Sequence, residues 1–308
     1  MNVVPLGAES LGVRSMATYV EVAGHGILID PGATLAPSRF GLPPADEEWE
    51  ALRRTNDRIS AYALRADVVF VSHYHEDHFR SDATSYAGRR VLVKNPRRMV
   101  QGLQARRAAE LWQSLKDRAR LAAADDTDER NATPALQVSP PLPHGLEGTS
   151  LGYVVALTVA DPAERERFVF ASDVQGPLSA VAAAYLVRQR PTLLYLAGPP
   201  SYMEREVGAA TIDRGVDHLL RIVDTTGCRV IMDHHALRDA RWRERFSRVW
   251  ETGRVTTAAS YLGVPEAVLE TRRPELWGRV RKPAAVSARA TMTRGSSSSR
   301  RLAKGGSP

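Results

Sequence analysis

The chain contains a single cysteine, Cys228, among its 308 residues. One cysteine excludes an intrachain disulfide, and it also excludes a metal site built mainly from thiolates. No stretch approaches the ~18 uninterrupted apolar residues that a membrane span requires. The N-terminus lacks a basic region followed by a long apolar run, so no secretory signal is predicted. These absences predict a cytoplasmic protein that does not span a membrane.

Acidic residues are absent from Leu276 to the C-terminus, whereas eight basic residues fall in that stretch. Without those eight, the net charge of +7 becomes about −1 for residues 1–275, so the high isoelectric point belongs to the tail. Residues 276–308 are rich in Ala, Ser, Gly and Arg, which predicts a largely disordered segment. Such a tail either is simply solvated or touches RNA, DNA or anionic membrane without specificity.

A cluster of metal-ligand residue types follows a short apolar strand, Asp67-Val-Val-Phe-Val71. Within six residues the chain offers His73, His75, Asp77 and His78. Alternate side chains of an extended segment point the same way, so the first two histidines can bind one cation together. The turn that follows can direct the other two toward a neighbouring position. Imidazole and carboxylate suit zinc, and also manganese or iron.

This His-x-His-x-Asp-His spacing resembles the metal-binding motif of the metallo-β-lactamase fold. Upstream, residues 17–22 and 27–32 are similar to the opening hairpin of that fold, and the resemblance covers about residues 1–250. It implies an α/β protein built as a four-layer αββα sandwich, with metals bound where strands of both sheets end. We therefore expect a hydrolase domain over residues 1–275, in which 255–275 form a C-terminal helical cap.

Five segments are similar to a little-characterised prokaryotic branch of that superfamily, whose members resemble metal-dependent hydrolases without a settled substrate. They are Glu9–Ser15, Ser72–His78, Pro143–Glu147, Ala171–Pro177 and Asp233–His235. The resemblance thus bears on the chemical machinery more than on the substrate.

Further ligand types lie at later predicted strand ends and in a tight loop. His144 follows Pro140-Pro-Leu-Pro, Asp173 follows a buried strand, and His234 and His235 follow another. The resemblance implies a first metal held by His73, His75 and His144. It implies a second metal held by Asp77, His78 and His234, with His235 as the alternative to His234, and Asp173 as the bridge. The remaining histidines, His25 and His218, are expected to be structural.

Two such cations, about 3.5–4 Å apart, would supply a hydroxide nucleophile at neutral pH. Asp77 is then both a ligand and part of the catalytic machinery. The proton donor for the leaving group stays open among Tyr74, Lys94 and His235. Asp30, Asp67 and Asp233 lie near strand ends, where they are expected to orient histidines.

The leading substrate hypothesis is a phosphoester, with a phosphodiester as its narrower form, because dinuclear carboxylate-bridged sites suit phosphorus chemistry. Six basic residues near the motif could bind phosphate oxygens, although they could equally form a solvated helix face: Arg80, Arg89, Arg90, Lys94, Arg97 and Arg98. A carboxylic ester, lactone or thioester is the alternative. A nuclease acting on RNA or DNA is less favoured, since residues 1–275 are nearly neutral. A non-catalytic metal-binding protein is the least favoured alternative.

Overall fold

The computed structural model describes residues 1–100, 102–125, 127–161 and 163–280. The first sheet contains six strands: β1 (Asn2–Pro5), β2 (Thr18–Val22), β3 (His25–Ile29), β4 (Val68–Val71), β5 (Arg90–Val93) and β6 (Arg120–Ala123). The later strands are β7 (Asp128–Glu129), β8 (Ala135–Val138), β9 (Leu142–Pro143), β10 (Tyr153–Val154), β11 (Leu157–Asp161), β12 (Glu166–Ser172), β13 (Leu193–Ala197), β14 (Arg229–Asp233) and β15 (Val255–Thr256).

The helices are α1 (Asp46–Ala63), α2 (Gly102–Leu115), α3 (Ala180–Gln189), α4 (Glu204–Val207), α5 (Ala209–Thr226), α6 (Trp242–Arg245), α7 (Ser247–Trp250), α8 (Ala258–Tyr261) and α9 (Arg273–Val280). Short 3-10 turns occupy Glu9–Leu11, Ser201–Met203, His234–Arg238 and Glu270–Arg272. None of the helices in the described part of the chain has the length and apolar character that a membrane crossing requires.

The two sheets have related topologies. The first has the order β1-β2-β3-β4-β5-β6, with β3 to β6 parallel. The second has the order β15-β14-β13-β12-β11-β8-β7, with β12 to β15 parallel. Strands β9 and β10 form a separate two-stranded ladder. The carboxyl ends of parallel strands meet at one edge of their sheet, so residues that follow them are brought together.

Three buried cores separate the layers. One packs the first sheet against α1 and α2, and its members include Ile59, Val69 and Leu111. The second packs the two sheets against each other, and Phe70 and Phe170 belong to it. The third packs the second sheet against α3, α5 and the α6–α7 turn. Helices, sheet, sheet and helices therefore follow in order, which confirms the predicted αββα sandwich.

The opening hairpin and the strand before the motif are present as predicted. One interpretation is wrong in part. The helical cap expected at 255–275 begins with strand β15, which pairs with β14 and extends the second sheet. Helix α9 continues past 276, and the rest of the predicted tail lies outside the described residues.

Candidate metal centre

The first group of ligand-type atoms joins the motif after β4 to the loop after β9. Nε2 of His73 lies 3.1 Å from Nδ1 of His75 and 3.7 Å from Oδ2 of Asp173. Nε2 of His144 lies 2.9 Å from the same carboxylate oxygen. One atom from each of these four residues falls within 4.8 Å of the others. His73, His144 and Asp173 are buried, and His75 is half-buried.

The second group shares that carboxylate. Nε2 of His234 lies 3.3 Å from Nε2 of His78, 3.5 Å from Oδ2 of Asp77 and 3.5 Å from Oδ1 of Asp173. Asp173 follows β12 and His234 follows β14, whereas the other two follow β4. The edges of both sheets therefore meet at one carboxylate.

The spacing of these donors fits a metal ion. A tetrahedral zinc ion with ligands about 2.1 Å away has donor atoms about 3.4 Å apart, close to the 3.3–3.5 Å of the second group. Oδ1 of Asp173 is buried and has no hydrogen-bond partner among the described residues. An unsatisfied buried carboxylate oxygen is costly unless a cation is bound there. The donor set and its spacing therefore fit a divalent metal.

The protonation states of the imidazoles also fit a divalent metal. Burial lowers the pKa of His75 to about 3, and the same cause lowers the pKa of His234 to about 3. Burial also lowers the pKa of His73 well below its ordinary value. His78 differs: burial opposes its charge, but Asp173 and Asp30 raise its pKa well above the usual range. Three of these side chains thus offer a neutral imidazole, the form that binds metals.

The carboxylates of the centre are held ionised. Burial disfavours the charge of Asp77, but His78, His234 and Arg238 outweigh it and lower its pKa. The histidines around Asp173 likewise outweigh burial and lower its pKa well below the ordinary value. Both side chains are therefore anionic, as metal ligands must be.

Asp30 orients the motif after β4. Its carboxylate accepts from the backbone N–H of Ser72 at 2.7 Å and from Nδ1 of His78 at 2.8 Å. It follows β3, the parallel neighbour of β4, so sheet register places it there. The hydroxyl of Ser72 also contacts Nδ1 of His73 at 3.0 Å. These contacts leave Nε2 of both histidines directed at the centre, as expected of groups behind metal ligands.

Glu9 and Arg238 were not identified from the sequence. Oε2 of Glu9 accepts from Nδ1 of His234 at 2.8 Å, and its Oε1 accepts from Nε of Arg238 at 2.7 Å. The same guanidinium donates to Oδ2 of Asp77 at 3.2 Å. Burial raises the pKa of Glu9 to about 7, against the opposing effect of Arg238. Two sequence features could have identified them: Glu9 begins the segment Glu9–Ser15, and Arg238 lies one helical turn after His234.

His235 also reaches the centre. Its Nε2 lies 3.2 Å from Oδ2 of Asp173, and its Nδ1 lies 3.0 Å from the hydroxyl of Tyr202. The other two proposed proton donors do not reach it. The hydroxyl of Tyr74 is buried against Lys94 O and accepts from Trp112 Nε1 at 2.9 Å. The ammonium of Lys94 is buried, donates to the carbonyl of Arg98 and lies 3.8 Å from Oδ2 of Asp125.

Two of the three aspartates expected to orient histidines do not bind an imidazole ring of the metal centre. Asp67 precedes β4, at the opposite end from the motif, and accepts from the backbone of Gly26 at 3.0 Å. Asp233 accepts from backbone N–H groups of Ser10, His234 and Ala258, so it joins three chain segments rather than a ring nitrogen. Only Asp30 has the expected role.

The expected phosphate-binding cluster is not formed. Arg89 precedes β5 and Arg90 begins it, at the edge opposite the centre, where they bind Ala63 O and the carboxylate of Glu129, respectively. Arg80 is bound to α1 through Asn56. Lys94 is buried as well. These basic residues are therefore close to the motif in sequence, but their side chains do not reach the metal centre. As expected, neither His25 nor His218 belongs to the groups: they contact Asp67 and Pro177 O.

Comparison with known proteins identifies close relatives. No known family model matches the chain. The UPF0282 protein of Methanopyrus kandleri is 39% identical over 295 residues, covering 90% of this chain and 99% of the relative. The UPF0282 protein of Methanocaldococcus jannaschii is 36% identical over 289 residues, covering 90% and 96%.

Solved structures resemble the chain at low identity. Unliganded yeast PDE1 has a TM-score of 0.51 at 12% identity, covering 83% of this chain and 96% of its own. An isothiocyanate hydrolase from Delia radicum gut bacteria has a TM-score of 0.51 at 16% identity, covering 80% and 94%. At such identities the likeness bears on fold alone. Together with the sheet order and the motif, it confirms the metallo-β-lactamase fold.

Proposed function

This chain belongs to the UPF0282 family, and we propose that it is a dinuclear metal-dependent hydrolase that cleaves phosphoesters. The observation that supports the proposal most is the convergence of side chains from three other chain segments on Asp173. Four imidazole Nε2 atoms, those of His73, His78, His144 and His235, lie 2.9–3.7 Å from its Oδ2. A surface loop has no structural need for such a cluster.

We assign the residues to two ions as the motif implies. His73, His75 and His144 would hold the first, and Asp77, His78 and His234 the second. Asp173 would bridge them, since its carboxylate lies 2.9 Å from Nε2 of His144 in the first group and 3.5 Å from Nε2 of His234 in the second. Divalent ions supply Lewis acidity, which lowers the pKa of water and polarises a phosphoryl or carbonyl oxygen. Zinc suits these ligands best, and manganese or iron would also be accommodated.

His235 is assigned as the proton donor to the leaving oxygen. It is the only one of the three candidates beside Asp173, and Tyr202 fixes its ring through Nδ1. The ring planes of these two side chains are parallel to within 3°, with centroids 6.1 Å apart. This contact orients the imidazole while Nε2 faces the centre. Burial lowers the pKa of His235 to about 3 in the protein alone, so proton donation requires that the anionic phosphoester raise this pKa when it binds.

The carboxylate-bridged arrangement favours phosphorus chemistry over ester, lactone or thioester cleavage. Ions held by these residues would supply positive charge for the oxyanions of an in-line displacement, and His235 would supply the proton that an alkoxide leaving group needs. Four basic residues that follow the motif contribute nothing to this choice, because their side chains are bound elsewhere: Arg80, Arg89, Arg90 and Lys94.

The test compares leaving groups. Metal-loaded protein is assayed on bis(p-nitrophenyl) phosphate, on the unactivated diester uridylyl-uridine and on p-nitrophenyl acetate. We expect both diesters to be cleaved. His235→Asn should slow uridylyl-uridine cleavage by about 10²–10⁴-fold, with far less effect on the nitrophenyl diester, whose leaving group needs no proton. His218→Asn, a histidine remote from the centre, is the control.

The other outcomes are decisive. Cleavage of the acetate alone would replace the proposal by the carboxylic-ester alternative. Absence of turnover on all three substrates, with metal bound, would favour the non-catalytic alternative. An equal loss on both diesters in His235→Asn would remove the proton-donor role and leave the hydrolase intact.

A further inference from the structure

A polar concavity separate from the metal centre lies on the outer face of the second sheet, at the end of α3. Its volume is about 460 Å³. Four arginines and two glutamines line it: Arg130, Gln137, Arg167, Arg188, Gln189 and Arg190. It shares no residue with the metal centre.

Strand register explains why these residues meet. Arg167 pairs with Ala160 of β11, and Gln137 pairs with Thr158 two residues away, so both lie on the same face of the sheet. That face packs against α3. The helix ends at Gln189, whose amide oxygen accepts from the hydroxyl of Thr158 at 3.2 Å. The sheet face therefore continues beyond the helix and forms the floor of the pocket.

The charges of the pocket are nearly all of one sign. Arg130 pairs with Asp128 at 2.7 Å. No hydrogen bond or ion pair to the guanidinium groups of Arg167, Arg188 and Arg190 occurs within the described ranges 1–280. A helix C-terminus attracts cations, which accounts in part for Arg188 and Arg190. It does not account for Arg167, which lies on a strand, and like charges that converge without a counter-ion are unfavourable.

We propose that this pocket binds the sugar–phosphate backbone of a nucleic acid without regard to sequence. Guanidinium groups chelate phosphate oxygens, and glutamine amides can bond to phosphates or sugar hydroxyls. None of the six lining residues is aromatic, so base stacking is not part of the recognition. The volume exceeds that of one phosphate group, which favours a chain of them.

The position of the pocket favours a polymer. Arg167 and Asp173 are six residues apart, at opposite ends of β12 and its continuation, which places them about 20 Å apart. A small phosphoester cannot contact both, whereas a strand of several nucleotides can. The inference goes beyond the proposed function, because binding here requires no metal.

The experiment measures binding apart from catalysis. A fluorescein-labelled oligouridylate of about twelve nucleotides is titrated with full-length Asp173→Ala protein without added metal, and anisotropy is followed at several salt concentrations. The test variant adds Arg167→Gln, Arg188→Gln and Arg190→Gln. The matched control adds Arg53→Gln, Arg205→Gln and Arg221→Gln, exposed arginines on other helices. Both variants lose three charges and keep the basic C-terminus.

We expect the pocket variant to bind at least about tenfold more weakly at low salt. Its slope of log affinity against log salt should fall by about two, since each lost phosphate contact removes about 0.7 on a single strand. The control should stay near the parent. Arg167→Gln alone should lower the slope by about 0.7, and unchanged far-ultraviolet circular dichroism would establish folding.

Equal affinities of the two triple variants would overturn the proposal, because binding would then depend on overall charge or on the C-terminal segment. Binding of inorganic phosphate without binding of the oligonucleotide would overturn it as well. Because every protein in the experiment lacks Asp173, neither result depends on whether the metal centre hydrolyses phosphoesters.

Discussion

The buried guanidinium of Arg238 offers a quantitative test of how the metal centre is supported. Its side chain is 5% exposed and donates to Glu9 at 2.7 Å and to Asp77 at 3.2 Å. Arg238→Met keeps the aliphatic stem and removes the charge, which leaves two buried carboxylates without their cation. Removing one partner of a buried ion pair costs about 3–5 kcal/mol. That is a large part of a typical unfolding free energy of about 5–15 kcal/mol.

The assay is urea unfolding of metal-free protein followed by circular dichroism, arranged as a double-mutant cycle. Glu9→Gln removes the other buried charge, and the double variant should be more stable than the sum of the single losses predicts, by about 1–3 kcal/mol. Arg248→Met is the matched control. Arg248 pairs with Asp217 at 2.9 Å, but both side chains are more than half exposed, so the control should unfold near the wild-type midpoint.

Two results would refute this reasoning. A loss below about 1 kcal/mol in Arg238→Met would mean that water or a shift of the chain replaces the guanidinium. Additive losses in the cycle would mean that Glu9 and Arg238 do not stabilise each other, although they lie 2.7 Å apart.

Three further predictions concern the metal. Removal of bound metal with a strong chelator should lower the thermal midpoint in calorimetry, and zinc should restore it, because an ion that binds only the folded chain stabilises it; an unchanged midpoint would contradict this. Asp30→Asn weakens the bond that orients His78, so metal affinity measured against a chromogenic chelator should fall about 10–100-fold, whereas Asp67→Asn should leave it unchanged. Gly32→Ala would place a Cβ 2.6 Å from the backbone of His78. Elemental analysis should then show less than the wild-type metal content, while Gly278→Ala, with open space around it, should retain that content; equal contents would count against the predicted clash.

The ligand positions were predictable because they depend on local features of the sequence. The four buried residues of β4 predict a strand, and His73 and His75 alternate directly after it. Asp173 and His234 each follow another buried strand. Parallel strand ends meet at one edge, so the residues after them meet too. Local pattern and sheet geometry thus identify candidate ligands at the end of each sheet, and the resemblance to the metallo-β-lactamase fold implied that the two sets meet.

The supporting contacts were not predictable in this way. Glu9 and Arg238 are 229 residues apart in the chain, and nothing in the spacing of either one points to the other. The prediction that the basic residues after the motif bind phosphate had the opposite weakness, because it relied on closeness in sequence alone. Arg90 begins a strand whose far end approaches the centre, and Lys94 at that end is buried with its ammonium bound to the carbonyl of Arg98. The end of the strand at which a residue lies, and the face that its side chain occupies, decide which groups it contacts. The number of charges in a stretch of sequence does not reveal either one.

The most direct test of the dinuclear centre is the metal content of purified protein by elemental analysis, measured together with cleavage of bis(p-nitrophenyl) phosphate for wild type and Asp173→Ala. The structure predicts about two divalent ions per chain and diester cleavage in the wild type. Both should fall in the variant, because the carboxylate of Asp173 lies beside ligands of both groups. A single tightly held ion and no turnover in the wild type, or the same metal content in both proteins, would contradict the account.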